Sequence, residues 1–120
     1  MKKIGILVFV FILMGLLAAC SGSSAPQGPV SFSNDVLPIF QSRCANCHGS
    51  GQAKGGLSLD SYDSLMAGGR HGAAVVASDA ANSLLYQLVA DGRMPQRGAH
   101  LNTAQLAVIE EWINGGAQDN

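Results

Sequence analysis

The apolar positions between residues 32 and 117 recur at helical spacing, and no segment alternates with the two-residue period of a strand. The first helix is predicted to begin at one of three adjacent N-cap residues, Ser33, Asn34 and Asp35. Its shared face combines two apolar residues with two cysteines: Val36, Phe40, Cys44 and Cys47. A short second helix is predicted over residues 60–67, capped by Asp60 or Ser61 and ended by Gly68 and Gly69.

Two further helices are predicted in the second half of the chain. The third is capped by Ser78, Asp79 or Asn82 and stops at Asp91-Gly92. The fourth begins at Asn102 or Thr103, and its apolar stripe consists of Leu106, Ile109, Trp112 and Ile113. The pattern therefore predicts an all-α fold with about four helices. The glycine-rich loops between them are unusually long for a compact domain unless a function or a bound group organises them.

The N-terminal residues differ from the rest in hydropathy. Lys2 and Lys3 precede an apolar run over residues 4–19, which is shorter than the roughly 20 residues that a membrane-spanning helix needs. A basic start, a short apolar run and small residues at its end predict a secretory signal peptide at residues 1–19. An uncleaved membrane helix is the alternative.

Leu17-Ala18-Ala19-Cys20 resembles the bacterial lipobox. The resemblance implies a lipoprotein that is cleaved before Cys20 and carries lipid on that cysteine. We therefore expect export to the periplasmic or cell-surface side and a lipid anchor in the membrane. Residues 20–31 then form the lipidated cysteine and a flexible tether, and residues 32–120 form the folded domain.

Charge and cysteine content narrow the possibilities further. Without Lys2 and Lys3, the net charge of the chain falls from −1 to −3. We expect no nucleic-acid partner, because such binding requires a basic face. With Cys20 lipidated, only Cys44 and Cys47 remain, so no disulfide framework stabilises this small domain.

Cys44-Ala45-Asn46-Cys47-His48 is the attachment pattern of c-type haem. Cys44 and Cys47 lie on the same side of a helical turn, so each thiol can bond to a vinyl group on one edge of the haem. His48 follows directly and is the expected proximal ligand of the iron. The sequence therefore predicts one covalently bound haem c.

Three other uses of the cysteine pair compete with haem. A thioredoxin-like redox pair belongs near a βαβ pattern, and no strand is predicted here. A zinc site needs a second ligand pair, and only His71 and His100 remain as nitrogen ligands. An ordinary short disulfide is the third alternative. The histidine directly after the second cysteine, together with export, favours haem over all three.

Met94 is the predicted sixth ligand of the iron. It lies in a loop 46 residues beyond His48, and Pro95 favours an extended backbone at Met94. Met66 lies on a predicted helix, where filling the core is the simpler role. His71 and His100 are the alternative sixth ligands.

Other residues are candidates for the surroundings of the haem. Three arginines are candidate partners of the haem propionates: Arg70, Arg93 and Arg97. Seven apolar residues are candidates to wall the haem: Leu57, Val75, Val76, Leu85, Leu88, Leu101 and Ile109. Solvated loop positions for the arginines and ordinary core packing for the apolar residues are the alternatives.

Residues 32–117 resemble the class I cytochromes c. The resemblance rests on Cys44-x-x-Cys47-His48-Gly49, on Met94-Pro95 and on the last helix. Two further segments, Gly55-Gly56-Leu57-Ser58-Leu59-Asp60 and Ser83-Leu84-Leu85-Tyr86, are similar to short bacterial domains called planctomycete-type cytochrome c. The resemblance implies a cytochrome c fold in which the N- and C-terminal helices cross, with Phe40 meeting Trp112 near the crossing.

The chain departs from that family in one respect. Many class I members hold the proximal histidine with a proline carbonyl, whereas this chain has no proline between Pro38 and Pro95. Ligating histidines nearly always donate their second ring nitrogen to an acceptor. We therefore predict that a backbone carbonyl between Gly55 and Leu57 replaces the proline carbonyl.

Histidine and methionine ligands together imply one-electron transfer with no substrate at the iron. We expect an electron carrier rather than an enzyme, with redox proteins as electron donor and acceptor. If Met94 does not bind, a five-coordinate haem protein for small-ligand sensing or peroxide chemistry is the alternative. A non-haem redox or metal-binding module that uses Cys44 and Cys47 is the second alternative.

Overall fold

The computed structural model describes residues 28–120, and the helices in this range are short and joined by long loops. A π-helical turn, Phe32–Val36, leads directly into α1, Leu37–Arg43. Four further α-helices follow: α2 (Ala45–His48), α3 (Tyr62–Ala67), α4 (Leu84–Ala90) and α5 (Thr103–Asn114). The predicted signal peptide, the lipidated Cys20 and most of the tether lie outside the described residues.

The described range is mostly helical with little strand, which is compatible with the predicted all-α class. Its five α-helices differ from the expected four because the first predicted helix is divided. Cys44 has φ −123° and ψ −29°, which is outside the helical region, so α1 and α2 are separate helices. Strand β1, Gln52–Ala53, pairs with His48 and Gly49, and a 3₁₀ turn, Lys54–Gly56, follows it.

The first helical turn begins earlier than the sequence pattern predicts. The N-cap is Ser31, whose hydroxyl accepts from the amide of Asn34 at 3.2 Å. The Asp35 carboxylate in turn accepts from the Ser31 amide at 2.8 Å, so two otherwise unpaired donors are satisfied reciprocally. The predicted caps Ser33, Asn34 and Asp35 therefore lie inside the helical turn. Val30, just before the cap, is also buried.

The caps of α3 and α5 are confirmed. The Ser61 hydroxyl accepts from the Ser64 amide at 3.2 Å, and α3 ends at Gly68. Helix α5 begins with a capping box in which Asn102 and Gln105 exchange hydrogen bonds of 2.9 and 3.1 Å between side chain and backbone. The predicted last helix therefore has the predicted start.

The start of α4 differs from the prediction. Its N-cap position is Ser83, not Ser78, Asp79 or Asn82, and the Ser83 side chain does not cap the helix. The hydroxyl of this fully buried serine accepts from the Val76 amide at 2.8 Å and donates to the Asp79 carbonyl at 2.8 Å. It therefore ties the loop before α4 together instead of capping the helix.

One hydrophobic core joins every helix except α2. Helix α5 packs against the π-helical turn, and three aromatic rings meet there. The ring centroid of Trp112 lies 5.3 Å from that of Phe32 and 6.5 Å from that of Tyr62. The rings that lie against Trp112 are therefore those of Phe32 and Tyr62, and Phe40, which the resemblance places near Trp112, is buried in the same core.

The two ends of the described range are hydrogen-bonded to each other. The Asn120 carbonyl accepts from the Ser33 amide at 2.9 Å and from the Ser31 hydroxyl at 2.8 Å. Nearby, the Tyr62 hydroxyl donates to the Ala117 carbonyl at 2.8 Å. Across residues 28–120, the structure contains no helix with the length and apolar character needed to cross a membrane.

Candidate functional site

The two cysteines and His48 lie on one short helical stretch at the end of α1 and in α2. The Cys44 carbonyl accepts from the amides of Cys47 and His48 at 3.0 and 2.9 Å. These bonds keep Cys44, Cys47 and His48 within one turn, as the spacing predicts. Both cysteines are half-buried free thiols, so both sulfur atoms are available for covalent bonds.

The environment of Cys44 favours the neutral thiol. Burial, and after it the neighbouring Cys47, raise the pKa of Cys44 from 9.0 to about 11. The side chain packs against the hydrophobic core, which removes water that would stabilise a thiolate. The haem-free chain therefore holds Cys44 as an uncharged thiol at neutral pH.

His48 is oriented by a backbone carbonyl. Its Nδ1 lies 3.3 Å from the carbonyl oxygen of Leu57, to which it donates in the Nδ1–H tautomer. That tautomer leaves the lone pair on Nε2 free for a metal ion. The contact confirms the prediction that a carbonyl between Gly55 and Leu57 replaces the missing proline carbonyl.

Residues 68–72 pack against residues 55–57, which include the carbonyl that His48 contacts. The Gly55 carbonyl accepts from the Arg70 amide at 2.8 Å. A side chain at Gly69 would stand 2.8 Å from the Gly55 carbonyl oxygen and 3.2 Å from the Leu57 Cβ, so only glycine allows this approach. Residues 68–72 therefore fix the position of the carbonyl that His48 contacts.

The turn after His48 is equally constrained. Gly49 is buried, and a Cβ there would lie 2.6 Å from the Ala45 carbonyl oxygen and 3.3 Å from Oδ1 of Asp60. The Asp60 carboxylate accepts from the Ser50 amide, and the Leu59 amide donates to the His48 carbonyl at 2.7 Å. The sequence predicts Asp60 only as a possible cap of α3, and no local pattern indicates its contact with Ser50.

Met94 is held at the end of α4. Gly92, with φ +68°, ends the helix, and the amides of Arg93 and Met94 both donate to the Leu88 carbonyl, at 2.9 and 3.0 Å. The half-buried side chain of Met94 packs against the same hydrophobic core as Cys44. Met94 and Cys44 therefore border one core, although they are far apart in sequence.

The remaining predicted residues divide by exposure. The two alternative ligands His71 and His100 are exposed, and so are the three arginines proposed for the propionates, Arg70, Arg93 and Arg97. Met66 is half-buried on α3 and packs against the core, as expected for a core residue. Six of the seven candidate wall residues are buried or half-buried, whereas Val76 is 41% exposed.

The alternatives for the cysteine pair gain no support from these contacts. Cys44 and Cys47 are not bonded to each other, and the strand within residues 28–120 is the two-residue β1. In the same range, no three His, Cys, Asp or Glu side chains gather in a metal-binding group, so a zinc site lacks its second ligand pair there.

Comparison with known proteins points to the same motif. Residues 44–98 match the family model described as Planctomycete cytochrome C. The match supports a cytochrome c domain. The matched range begins at Cys44 and includes Met94, so it covers the four predicted haem-binding residues. No curated protein and no solved structure matches the chain.

The match also indicates the general activity and cofactor. It supports a c-type haem electron carrier, and the family implies covalently bound haem c. The residues of the site fit such a group, because two free thiols and an oriented imidazole lie within one helical turn. Cys44 and Cys47 would hold the haem covalently, and His48 would ligate its iron.

Proposed function

We propose that the chain is an exported, lipid-anchored monohaem cytochrome c that carries one electron at a time between redox proteins. The observation that carries the proposal is the contact of His48 with the Leu57 carbonyl, which uses Nδ1 and leaves Nε2 free. In the sequence, His48 comes directly after two free thiols, Cys44 and Cys47, which have the spacing of covalent haem attachment.

When bound, the haem iron supplies the one-electron couple between its ferric and ferrous states. His48 would ligate the iron through Nε2, and donation from Nδ1 to Leu57 holds the ring in one orientation and makes Nε2 more basic. Met94 would supply the second protein ligand of the iron. Its backbone is tied to the end of α4 through the Leu88 carbonyl, which limits the distance that the thioether can move.

With His48 and Met94 both bound, the haem would serve electron transfer and not the binding of a substrate. Thioether sulfur stabilises the ferrous state, and half-buried and buried apolar residues near the site exclude water. Both effects favour a relatively high reduction potential. Lipid on Cys20 holds the domain at a membrane, on the periplasmic or cell-surface side, within reach of membrane-bound redox proteins.

The ligand set is tested with absorption spectra of the haem-loaded protein in both redox states. Wild type is expected to show the weak near-infrared band of sulfur bound to ferric iron, and Met94→Ala is expected to lose it. Met66→Ala is the matched control, because Met66 is also half-buried and packs against the same core. It is expected to keep the band.

A wild-type protein with covalent haem but without the band would contradict ligation by Met94. Five-coordinate haem chemistry would then be the better account, and added cyanide or carbon monoxide would bind rapidly. Loss of the band in Met66→Ala but not in Met94→Ala would assign the distal ligand to Met66.

A further inference from the structure

The segment Leu57–Asp60 runs beside residues 48–50, at the end of α2, and three contacts join the two segments. The Leu57 carbonyl contacts Nδ1 of His48 at 3.3 Å, and the Leu59 amide donates to the His48 carbonyl at 2.7 Å. The third contact is the bond from the Ser50 amide to the Asp60 carboxylate. His48 is therefore held by this segment through both its ring and its backbone.

Asp60 makes the contact that closes this arrangement. At equal geometry, a hydrogen bond to a carboxylate is stronger than a hydrogen bond between neutral groups. The Ser58 hydroxyl donates to the same carboxylate at 3.4 Å and helps to orient it. The geometry of α3 does not require Asp60, because Ser61 is the cap of that helix.

We propose that Asp60 is a positioning residue for the proximal ligand. Its bond to the Ser50 amide fixes the register of Leu57–Asp60 against the turn, and that register places the Leu57 carbonyl at Nδ1 of His48. Asp60 acts through the backbone of its own segment. The inference rests on the proposed function, in which His48 ligates the haem iron.

Register matters because the contact at Nδ1 is a single neutral hydrogen bond to a loop carbonyl. A loop without regular secondary structure opens locally at low free-energy cost, and each opening exposes the Nδ1 proton to water. The charged bond at Asp60 opposes that opening. Its removal should therefore raise the open fraction of the loop without removing any atom that touches His48.

The test uses the reduced, haem-loaded protein and measures solvent exchange of the His48 Nδ1 proton by NMR. Asp60→Ala loses a hydrogen bond to a charged group, so exchange is expected to become about 10- to 100-fold faster. Asp60→Asn keeps an acceptor oxygen without the charge. Its exchange rate is expected to lie between those of wild type and Asp60→Ala, about five- to tenfold faster than wild type. The other two histidines are exposed, so their ring protons exchange too quickly to interfere.

Asp63→Ala is the control for charge. Asp63 is an exposed carboxylate three residues further along, so its replacement changes the net charge equally while leaving the Ser50 contact intact. It is expected to leave exchange at the wild-type rate. The reduction potential is a second readout. It should rise more in Asp60→Ala than in Asp60→Asn, because loss of the Nδ1 bond destabilises the ferric state and both variants lose the same charge.

Wild-type exchange rates in both Asp60 variants would overturn the inference, even if their potentials change equally, since that pattern reports charge alone. If Asp60→Ala does not fold, an unchanged rate in Asp60→Asn overturns it by itself. Failure of the proposed function looks different, because wild type then lacks covalent haem or the band that depends on Met94.

Discussion

The Tyr62 hydroxyl links α3 to the segment after α5, and its removal should measurably destabilise the domain. It donates to the Ala117 carbonyl at 2.8 Å, and Ala117 is completely buried. Tyr62→Phe keeps the ring that packs on Phe32 and Trp112, at centroid distances of 5.4 and 6.5 Å. The substitution therefore deletes one hydrogen bond and leaves the aromatic cluster in place.

The expected cost follows from the state of the acceptor. A typical intramolecular hydrogen bond contributes about 1 kcal/mol, and a buried acceptor left without a donor costs about 1–3 kcal/mol. Tyr62 is only half-buried, so water can partly replace the hydroxyl. We therefore expect a loss of about 1–2 kcal/mol in the free energy of unfolding. In a domain of this size, each kcal/mol lowers the melting temperature by about 4–8 °C.

Tyr86→Phe is the matched control, because it deletes the hydroxyl of the other tyrosine. Burial, and after it the neighbouring Glu110, raise the pKa of Tyr86, but Glu110 is exposed, so water can take the place of the Tyr86 hydroxyl. We expect a change within about 0.5 kcal/mol. Guanidinium unfolding of the haem-loaded proteins, followed by far-UV circular dichroism, measures both. Equal losses in the two variants would refute the reasoning.

Two further predictions concern the haem-attachment segment. Gly49→Ala places a Cβ 2.6 Å from the Ala45 carbonyl oxygen, so it should lower the free energy of unfolding in guanidinium by about 1–3 kcal/mol. The control Gly51→Ala adds a Cβ in open space and should change the free energy of unfolding by less than about 0.5 kcal/mol. Equal effects of the two substitutions would contradict the close approach at Gly49. In the haem-free chain, the rate at which iodoacetamide alkylates Cys44 should rise with pH to a midpoint near 11, because the pKa of Cys44 is raised. The free energy of unfolding should fall as pH increases from about 9 to 11, because the thiol ionises at lower pH in the unfolded chain than in the folded chain. A Cys44 alkylation midpoint near 9 in the folded chain would contradict the burial of this thiol.

The sequence predicts the elements whose local signals agree with their tertiary environment. Asn102 and Gln105 form the capping box that their spacing indicates, and Gly92 ends α4 in a left-handed conformation. The haem-attachment motif is equally local, because its spacing alone places Cys44 and Cys47 within one turn. Such features do not depend on the rest of the fold.

The features that sequence reasoning missed depend on contacts between distant segments. Ser83 occupies a cap position, but its hydroxyl is drawn into the loop before α4 by the Val76 amide. The rings of Phe32 and Tyr62 lie against Trp112, although both residues are far from it in the sequence. No local pattern encodes these pairings.

The hydrogen-bond acceptor of His48 was predictable from the sequence, whereas the contact that holds its loop was not. Ligating histidines generally need an acceptor for the second ring nitrogen, and in the absence of a nearby proline the prediction places that acceptor in the glycine-rich loop. The role of Asp60 in holding that loop requires the alignment of residues 57–60 beside residues 48–50. That alignment is visible only in the folded chain.

The central claim is that Cys44 and Cys47 carry one haem covalently. Intact-mass spectrometry of the chain, expressed with a haem-maturation system and then unfolded in acid, tests it most directly. Wild type should retain the added mass of one haem, and the variant with Cys44→Ala and Cys47→Ala together should lose all of it. A wild-type mass without haem, under conditions that mature a control cytochrome, would contradict the account.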